Sequence, residues 1–238
     1  MKPKVILFDL DGTLLPLDQD IFVKKYFSLL AKKLAPHGFD SEKLIKTVWY
    51  GTKSMILNTG EKLNEQIFWD KFKEVYGESA ANTAFSVLEE FYQVEFDGVK
   101  EICGYTPDAA EIITKVKSIG FKVVLATNPL FPSLATEKRA MWAGLTLSDF
   151  ELYTTYENSR YSKPNLAYYR DICSTLDVDP EQCVMVGNDV DEDMITKELG
   201  MKVFLLTDRI INKSNTDISI YPNGSFSDLS VFLDSLSR

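Results

Sequence analysis

The stretch Val5-Ile6-Leu7-Phe8-Asp9-Leu10-Asp11-Gly12-Thr13-Leu14 constrains this chain more than any other. Its apolar run is too short for a stable helix and is followed by turn residues, so it reads as a buried strand of a parallel sheet. The two acids then stand at the carboxyl end of that strand, the edge at which open α/β sheets bind ligands. A period of two puts Asp9 and Asp11 on one side if the strand persists, and Gly12 lets the chain turn away. Two anions so close need a cation between them or a shared proton. Taken alone, the same residues also make an ordinary turn.

The remainder of the chain supplies the sheet. From Pro107 onward, helix and strand patterns alternate: a helix opened by Pro107 and ended by Gly120, a buried strand over 121–126, and a helix over 133–143 stopped by Gly144. A short strand over 152–155, an amphipathic helix over 165–176 and a strand over 183–186 come next, then a helix over 191–199, a closing strand over 203–206 and a terminal helix over 228–236. Such alternation predicts an α/β fold, a Rossmann-like parallel sheet with helices on both faces and right-handed crossovers. Residues 16–100 depart from this pattern. Their apolar positions recur at helical spacing in four groups, broken at Pro36-His37-Gly38, Asn58-Thr59-Gly60 and Tyr76-Gly77, which predicts an inserted helical bundle. The expected division is 1–15 with 101–238 as the α/β core and 16–100 as the insertion.

A net charge of −9 and a pI near 4.8 argue against a general nucleic-acid or anionic-membrane surface. Small anionic substrates would need a locally positive site made from metal, lysine and backbone N–H groups. Cys103, Cys173 and Cys183 are too few and too far apart for a disulfide framework or zinc site, and read as reduced thiols of a cytoplasmic protein. The brief apolar run after Lys2 and Lys4 meets Asp9 too soon to be a signal peptide, and no stretch is long enough to span a membrane. His37, the only histidine, reads as a surface residue at a helix end. Trp49, Tyr50, Phe68, Trp69 and Phe72 read as bundle core.

Three later stretches carry polar groups to strand ends. Thr127, after Val123-Val124-Leu125-Ala126, offers a hydroxyl and free backbone N–H groups, either an anion-binding nest or a plain turn. Lys163, in Tyr161-Ser162-Lys163-Pro164, lies just before a helix start; the helix dipole gives it nothing there, so a nearby carboxylate or phosphate would explain it. Gly187-Asn188-Asp189-Val190-Asp191-Glu192-Asp193 gathers oxygen ligands suited to a hard cation, and Asp191 and Glu192 also suit a helix N-terminus.

These four stretches, in this order, resemble the motifs of the haloacid dehalogenase superfamily. The resemblance implies that Asp9 is a nucleophile and Asp11 a general acid and base. It also implies that Thr127, the Asn128 N–H and Lys163 bind the transferring phosphoryl group. Magnesium would be held by Asp9, the Asp11 backbone carbonyl and Asp189; Asn188, directly after the glycine, is the second choice for the last ligand. Asp193 would orient Lys163 or metal-bound water. The insertion corresponds to a type 1 helical cap whose loop at Asn58–Asn64 faces the catalytic edge, with Lys53 and Lys62 either solvated or meeting a distal anion. The implied activity is magnesium-dependent hydrolysis of a small phosphorylated metabolite through an aspartyl phosphate. Asp11 argues against carbon–halogen and phosphonate cleavage. A phosphosugar mutase, and a noncatalytic binding or regulatory protein of the same superfamily, are the alternatives.

Overall fold

A computed structural model describes residues 3–237. Six parallel strands, β1 (Val5–Phe8), β2 (Lys122–Leu125), β3 (Leu152–Tyr153), β4 (Cys183–Gly187), β5 (Lys202–Leu206) and β6 (Asn223–Gly224), form one sheet in the order β3-β2-β1-β4-β5-β6. The sheet reverses its winding beside β1, the switch point at which open α/β sheets leave a crevice. Successive residues alternate faces. Ile6, Phe8, Val123, Leu125, Val184, Val186, Phe204 and Leu206 join one apolar cluster, whereas Val5, Leu7, Val124, Met185, Val203 and Leu205 join another. Both faces are therefore covered, which is why these strands read as unbroken apolar runs.

Four helices, α1 (Gln19–Leu34), α2 (Ser41–Ile56), α3 (Asn64–Tyr76) and α4 (Glu78–Gln93), lie between β1 and the helix that precedes β2. Asp18 and Asp40 cap α1 and α2 by accepting from the Ile21 and Lys43 N–H groups. A 3₁₀ helix over Glu95–Ile102 leads back to α5 (Asp108–Ser118). The helical insertion shares the larger apolar cluster with one sheet face, and Phe96 packs on Trp142 of α6 (Ser133–Trp142) with ring centroids 5.1 Å apart. The layers are completed by α7 (Leu166–Thr175) and α8 (Phe226–Ser237).

Several expectations need correction. The short strand over 152–155 is confined to Leu152–Tyr153. Residues 191–193 form a turn, and only Met194–Leu199 is helical, as 3₁₀; the Asp189 carboxylate accepts the Asp191 and Glu192 N–H groups and holds that turn. A sixth strand follows the one expected to close the series, and it has just two residues, neither apolar. Pro164 does not start a helix: the Lys163–Pro164 peptide is cis, and Asn165 caps α7 by accepting from the Ala167 N–H. Of the aromatic stripe, Phe68 and Phe72 are buried but Trp49 and Tyr50 are exposed. His37, by contrast, is exposed after α1 as expected. The three cysteines are free thiols, with Cys173 and Cys183 Sγ atoms 3.8 Å apart in the second cluster. Among the described residues no helix is long and apolar enough to cross a membrane.

Candidate active site

Strand register assembles the site. Phe8 pairs with Leu125 on one side and Val186 on the other, so the chain emerges from three adjacent strands at one level, as Asp9, Ala126-Thr127 and Gly187-Asn188. The Asp9 N–H donates to the Val186 carbonyl and the Ala126 N–H to the Phe8 carbonyl, which holds all three exits together.

Lys163 joins the remote stretches. Its fully buried ammonium donates to Asp9 Oδ1 at 2.8 Å and to Asp193 Oδ1 at 2.6 Å. Burial would drive this lysine toward neutrality, but Asp193 and Asp9 outweigh it and hold its pKa well above the ordinary lysine range. Burial pushes the Asp193 carboxyl up, with the Lys163 ammonium pulling against it. Its other oxygen accepts the Asp189 N–H at 3.1 Å. A Cβ on Gly187 would overlap the Asp193 carboxylate, so glycine is required there for this approach.

Asp9 Oδ2 accepts from the Thr13 hydroxyl at 3.2 Å, and the same hydroxyl lies 3.0 Å from Asn188 Oδ1. Asn188 Nδ2 donates to the Arg209 carbonyl at 2.6 Å, so both ends of this amide are engaged. Gly12, with φ +82°, brings the turn so close that a Cβ would overlap the Asn188 amide. Asp189 differs: Oδ1 takes two backbone N–H groups, and burial raises its carboxyl.

Thr127 is buried after β2, and its carbonyl accepts from the hydroxyls of Thr154 at 2.7 Å and Tyr168 at 2.9 Å. Asn128 Oδ1 accepts the Lys163 N–H at 3.3 Å, while its Nδ2 donates to Glu192 at 3.1 Å. The Thr127 loop and the Lys163 loop are thus tied to each other and to the acidic turn.

Three participants go beyond the sequence reading, which misses Arg139 outright, takes Glu192 only as part of the acidic run, and Asn64 only as the end of a loop. Arg139 of α6 is fully buried: it donates from Nε to the Ala135 carbonyl and pairs through NH1 with Asp11. Its guanidinium carbon lies 4.7 Å from the centre of the Phe131 ring. Burial raises the Asp11 carboxyl, with Arg139 pulling against it, and Asp11 Oδ1 is buried with no partner among the described residues. A usable signal existed, because Arg139 falls on the same helical stripe as Ala135, Thr136 and Trp142, the buried face of α6. Glu192 approaches through Asn128, and burial raises its carboxyl. Asn64 is the third. It is wholly buried, and its amide donates to the Pro129 carbonyl at 3.2 Å and the Ser162 hydroxyl at 3.1 Å. The loop before α3 therefore meets the strand-end edge through Asn64, whereas its Lys62 pairs with exposed Asp70 at 2.6 Å, and Lys53, in α2, is exposed.

Among the described residues these contacts link Asp9, Asp11, Asp189, Glu192 and Asp193 to the cationic side chains Lys163 and Arg139, and the Lys213 charge also acts on Asp189. Such an edge is suited to an added hard cation and a bound anion.

Known proteins share this arrangement at the level of fold. The chain is 25% identical over its full length to the phosphoglycolate phosphatase of Psychrobacter arcticus, covering 97% of that protein. It is 22% identical to the ribulose-1,5-bisphosphate 5-phosphatase of Halopiger xanaduensis, across 94% of this chain and 98% of that one. A crystal structure of a predicted phosphoglycolate phosphatase from Haemophilus somnus superposes with a TM-score of 0.59 at 18% identity, over 98% of each chain. A haloacid dehalogenase family enzyme from Bacteroides thetaiotaomicron, complexed with magnesium and inorganic phosphate, gives 0.52 at 15% identity, over 92% of this chain and 98% of that one. The sequence profile of the haloacid dehalogenase-like hydrolases matches residues 3–196, a span that includes every side chain of the constellation from Asp9 to Asp193. The chain belongs to the haloacid dehalogenase-like hydrolases.

Proposed function

We propose that this hydrolase is a magnesium-dependent phosphatase that cleaves a small phosphorylated metabolite through an aspartyl phosphate on Asp9. The observation that carries the reading is the buried Lys163 ammonium, held between Asp9 and Asp193 at the switch point of the sheet. Such a group steadies the nucleophile and meets the negative charge of an incoming phosphoryl group. Relatives of matching length that carry phosphatase names support the same class of reaction.

The donor set fits magnesium. Asp9 and Asp189 would supply carboxylate oxygens and Asp11 its backbone carbonyl, all hard oxygen ligands. Asp189 is preferred over Asn188 because both ends of the Asn188 amide already have protein partners. Among the described residues no three histidine, cysteine, aspartate or glutamate side chains gather so as to hold a metal ion by themselves, so the chain would supply two carboxylates and a carbonyl. When bound, the ion offsets the negative charge of Asp9 and the phosphate and polarises the phosphorus–oxygen bonds.

An Asp9 oxygen attacks phosphorus while Asp11 delivers a proton to the departing alkoxide, so the alcohol leaves and Asp9 carries the phosphoryl group. Asp11 then takes a proton from water as that water attacks phosphorus, releasing inorganic phosphate and restoring the Asp9 carboxylate. Thr127, Asn128 and Lys163 hold the phosphoryl oxygens through both steps. The helical insertion covers the edge as a cap and limits water during the first step.

The test is release of inorganic phosphate from simple phosphate monoesters with magnesium and then with excess EDTA. The expected result is turnover that EDTA abolishes and added magnesium restores. Turnover indifferent to EDTA, or phosphoryl transfer to a second sugar hydroxyl with no free phosphate, would contradict it.

A further inference from the structure

A cavity of about 420 Å³ lies between the four inserted helices and the loops that follow β2 and β3. This is within the usual size of a small-molecule site, roughly 300–1,000 Å³. Its walls include Tyr26, Val48, Phe68, Leu88 and Phe131, and the side chains lining it contain three glutamates but, among the described residues, no lysine, arginine or histidine. Two of those acids, Glu65 and Glu157, repel each other: burial, and then the Glu157 charge, raises the Glu65 carboxyl. The Arg139 guanidinium lies against the Phe131 ring but is engaged by Asp11. The wall also carries a pair of neutral hydroxyls, Tyr26 and Tyr92, 2.8 Å apart, with burial pushing Tyr26 up to about 12.

The cavity adjoins the chemistry through one short loop. Leu130 and Phe131, both in its wall, come three and four residues after Thr127, so that wall begins within about 11 Å of the Thr127 backbone. Asn64 fixes the loop by donating to the Pro129 carbonyl.

We propose that this chamber receives the leaving alcohol of the substrate, and that the alcohol is aromatic and carries no negative charge. The assignment rests on the phosphatase reading and sets this chain apart from its named relatives. Phosphoglycolate carries a carboxylate beside its phosphate, and ribulose bisphosphate a second phosphate. Either group would lose hydration here among aromatic walls and meet glutamates in place of a cation, a penalty that rejects the wrong ester. An aromatic ring buries its faces on the same walls with no such cost.

The test compares kcat/KM for 2-naphthylmethyl phosphate and phosphoglycolate, both esters of alkyl alcohols, in the magnesium-loaded enzyme. The expected preference for the naphthylmethyl ester is about tenfold or more, in line with what pocket contacts achieve. Val48→Phe, which fills the chamber, is expected to raise KM for the naphthylmethyl ester by about tenfold. Glu65→Lys, which adds a cation at a half-buried position, is expected to narrow the preference by improving phosphoglycolate. Circular dichroism confirms that each variant is folded. Free 2-naphthylmethanol should also quench Trp49 and Trp69 fluorescence in the wild type, a readout independent of turnover. Phosphoglycolate used as well as the naphthylmethyl ester, a ratio that neither variant moves, or absence of quenching overturns the assignment. No phosphate release from any ester while quenching persists would instead overturn the phosphatase reading beneath it.

Discussion

Arg139 carries the largest unrecognised duty of any single side chain in the site. A wholly buried guanidinium is retained only with partners, and here they are the Ala135 carbonyl, the Thr136 hydroxyl and the Asp11 carboxylate. Arg139 therefore fixes where Asp11 points, and in the proposed mechanism it would act through Asp11 instead of touching phosphate. Protonation of the leaving oxygen matters most when the alcohol is a poor leaving group, so the two ester classes separate this role from mere loss of structure. Arg139→Met should lower kcat on an alkyl phosphate by about 10²-fold, the scale of a misplaced catalytic group. On 4-nitrophenyl phosphate, whose phenolate departs unaided, the loss should be far smaller, and Arg139→Lys should restore part of the alkyl activity. Equal losses on both esters would contradict the positioning role. Asp9 and Thr127 were legible in the sequence because each directly follows an apolar run, Lys163 because it stands just before a helix start, and Asp193 because it ends an acidic run that follows a strand. Arg139 was not, because an arginine within an amphipathic helix ordinarily belongs to the solvent face, and only its register with Ala135, Thr136 and Trp142 says otherwise.

Among the elements, strands and helices with strong periodicity were readable and the short or capped pieces were not. Strand β6, at Asn223–Gly224, has no apolar pattern to announce it; its pairing with β5 comes from the chain being led back beside Leu205 and Leu206. The segment after β4 reads as a helix from Asp191, yet the Asp189 carboxylate stabilises a turn there and delays helix until Met194. Helix α8 shows how much a cap can settle. The Asp228 carboxylate accepts from both the backbone N–H and the hydroxyl of Ser225, and these bonds lower its pKa below the ordinary aspartate value. A group whose folded pKa is depressed stabilises the protein above its unfolded pKa and loses that contribution as pH falls through the folded value. Wild type should therefore melt above Asp228→Asn at neutral pH, and the gap in thermal midpoint should close as pH drops below about 4. A gap that persists undiminished in acid would mean that the charge is not what holds the cap.

Across the whole molecule, two apolar clusters sandwich the sheet, and the larger one runs without interruption into the helical insertion through Phe96 and Trp142. The run of helices between β1 and β2 was legible from the change of period after Leu15, but the seam that ties those helices to the strand-end loops was not, because it depends on polar contacts from distant loops. Asn64 is the centre of that seam, binding the Pro129 carbonyl, the Ser162 hydroxyl and, through its own oxygen, the Asn58 amide. Asn64→Ala leaves buried acceptors without a donor, and should cost about 1–3 kcal/mol in urea unfolding. It should also raise KM more than it lowers kcat, since the loops it joins carry Lys163 and the wall of the chamber. A stability unchanged from wild type would show that the seam is held elsewhere.

The claim on which everything else depends is that the carboxylate at the tip of β1 takes the phosphoryl group. Rapid quenching of the magnesium-loaded enzyme during turnover into borohydride, followed by peptide mass spectrometry, reads this directly. An aspartyl phosphate at position 9 is reduced to homoserine, so the account predicts homoserine at Asp9 in the presence of substrate and none in its absence. Unmodified Asp9 under conditions of full turnover, or homoserine at Asp11 or Asp189 instead, would contradict it.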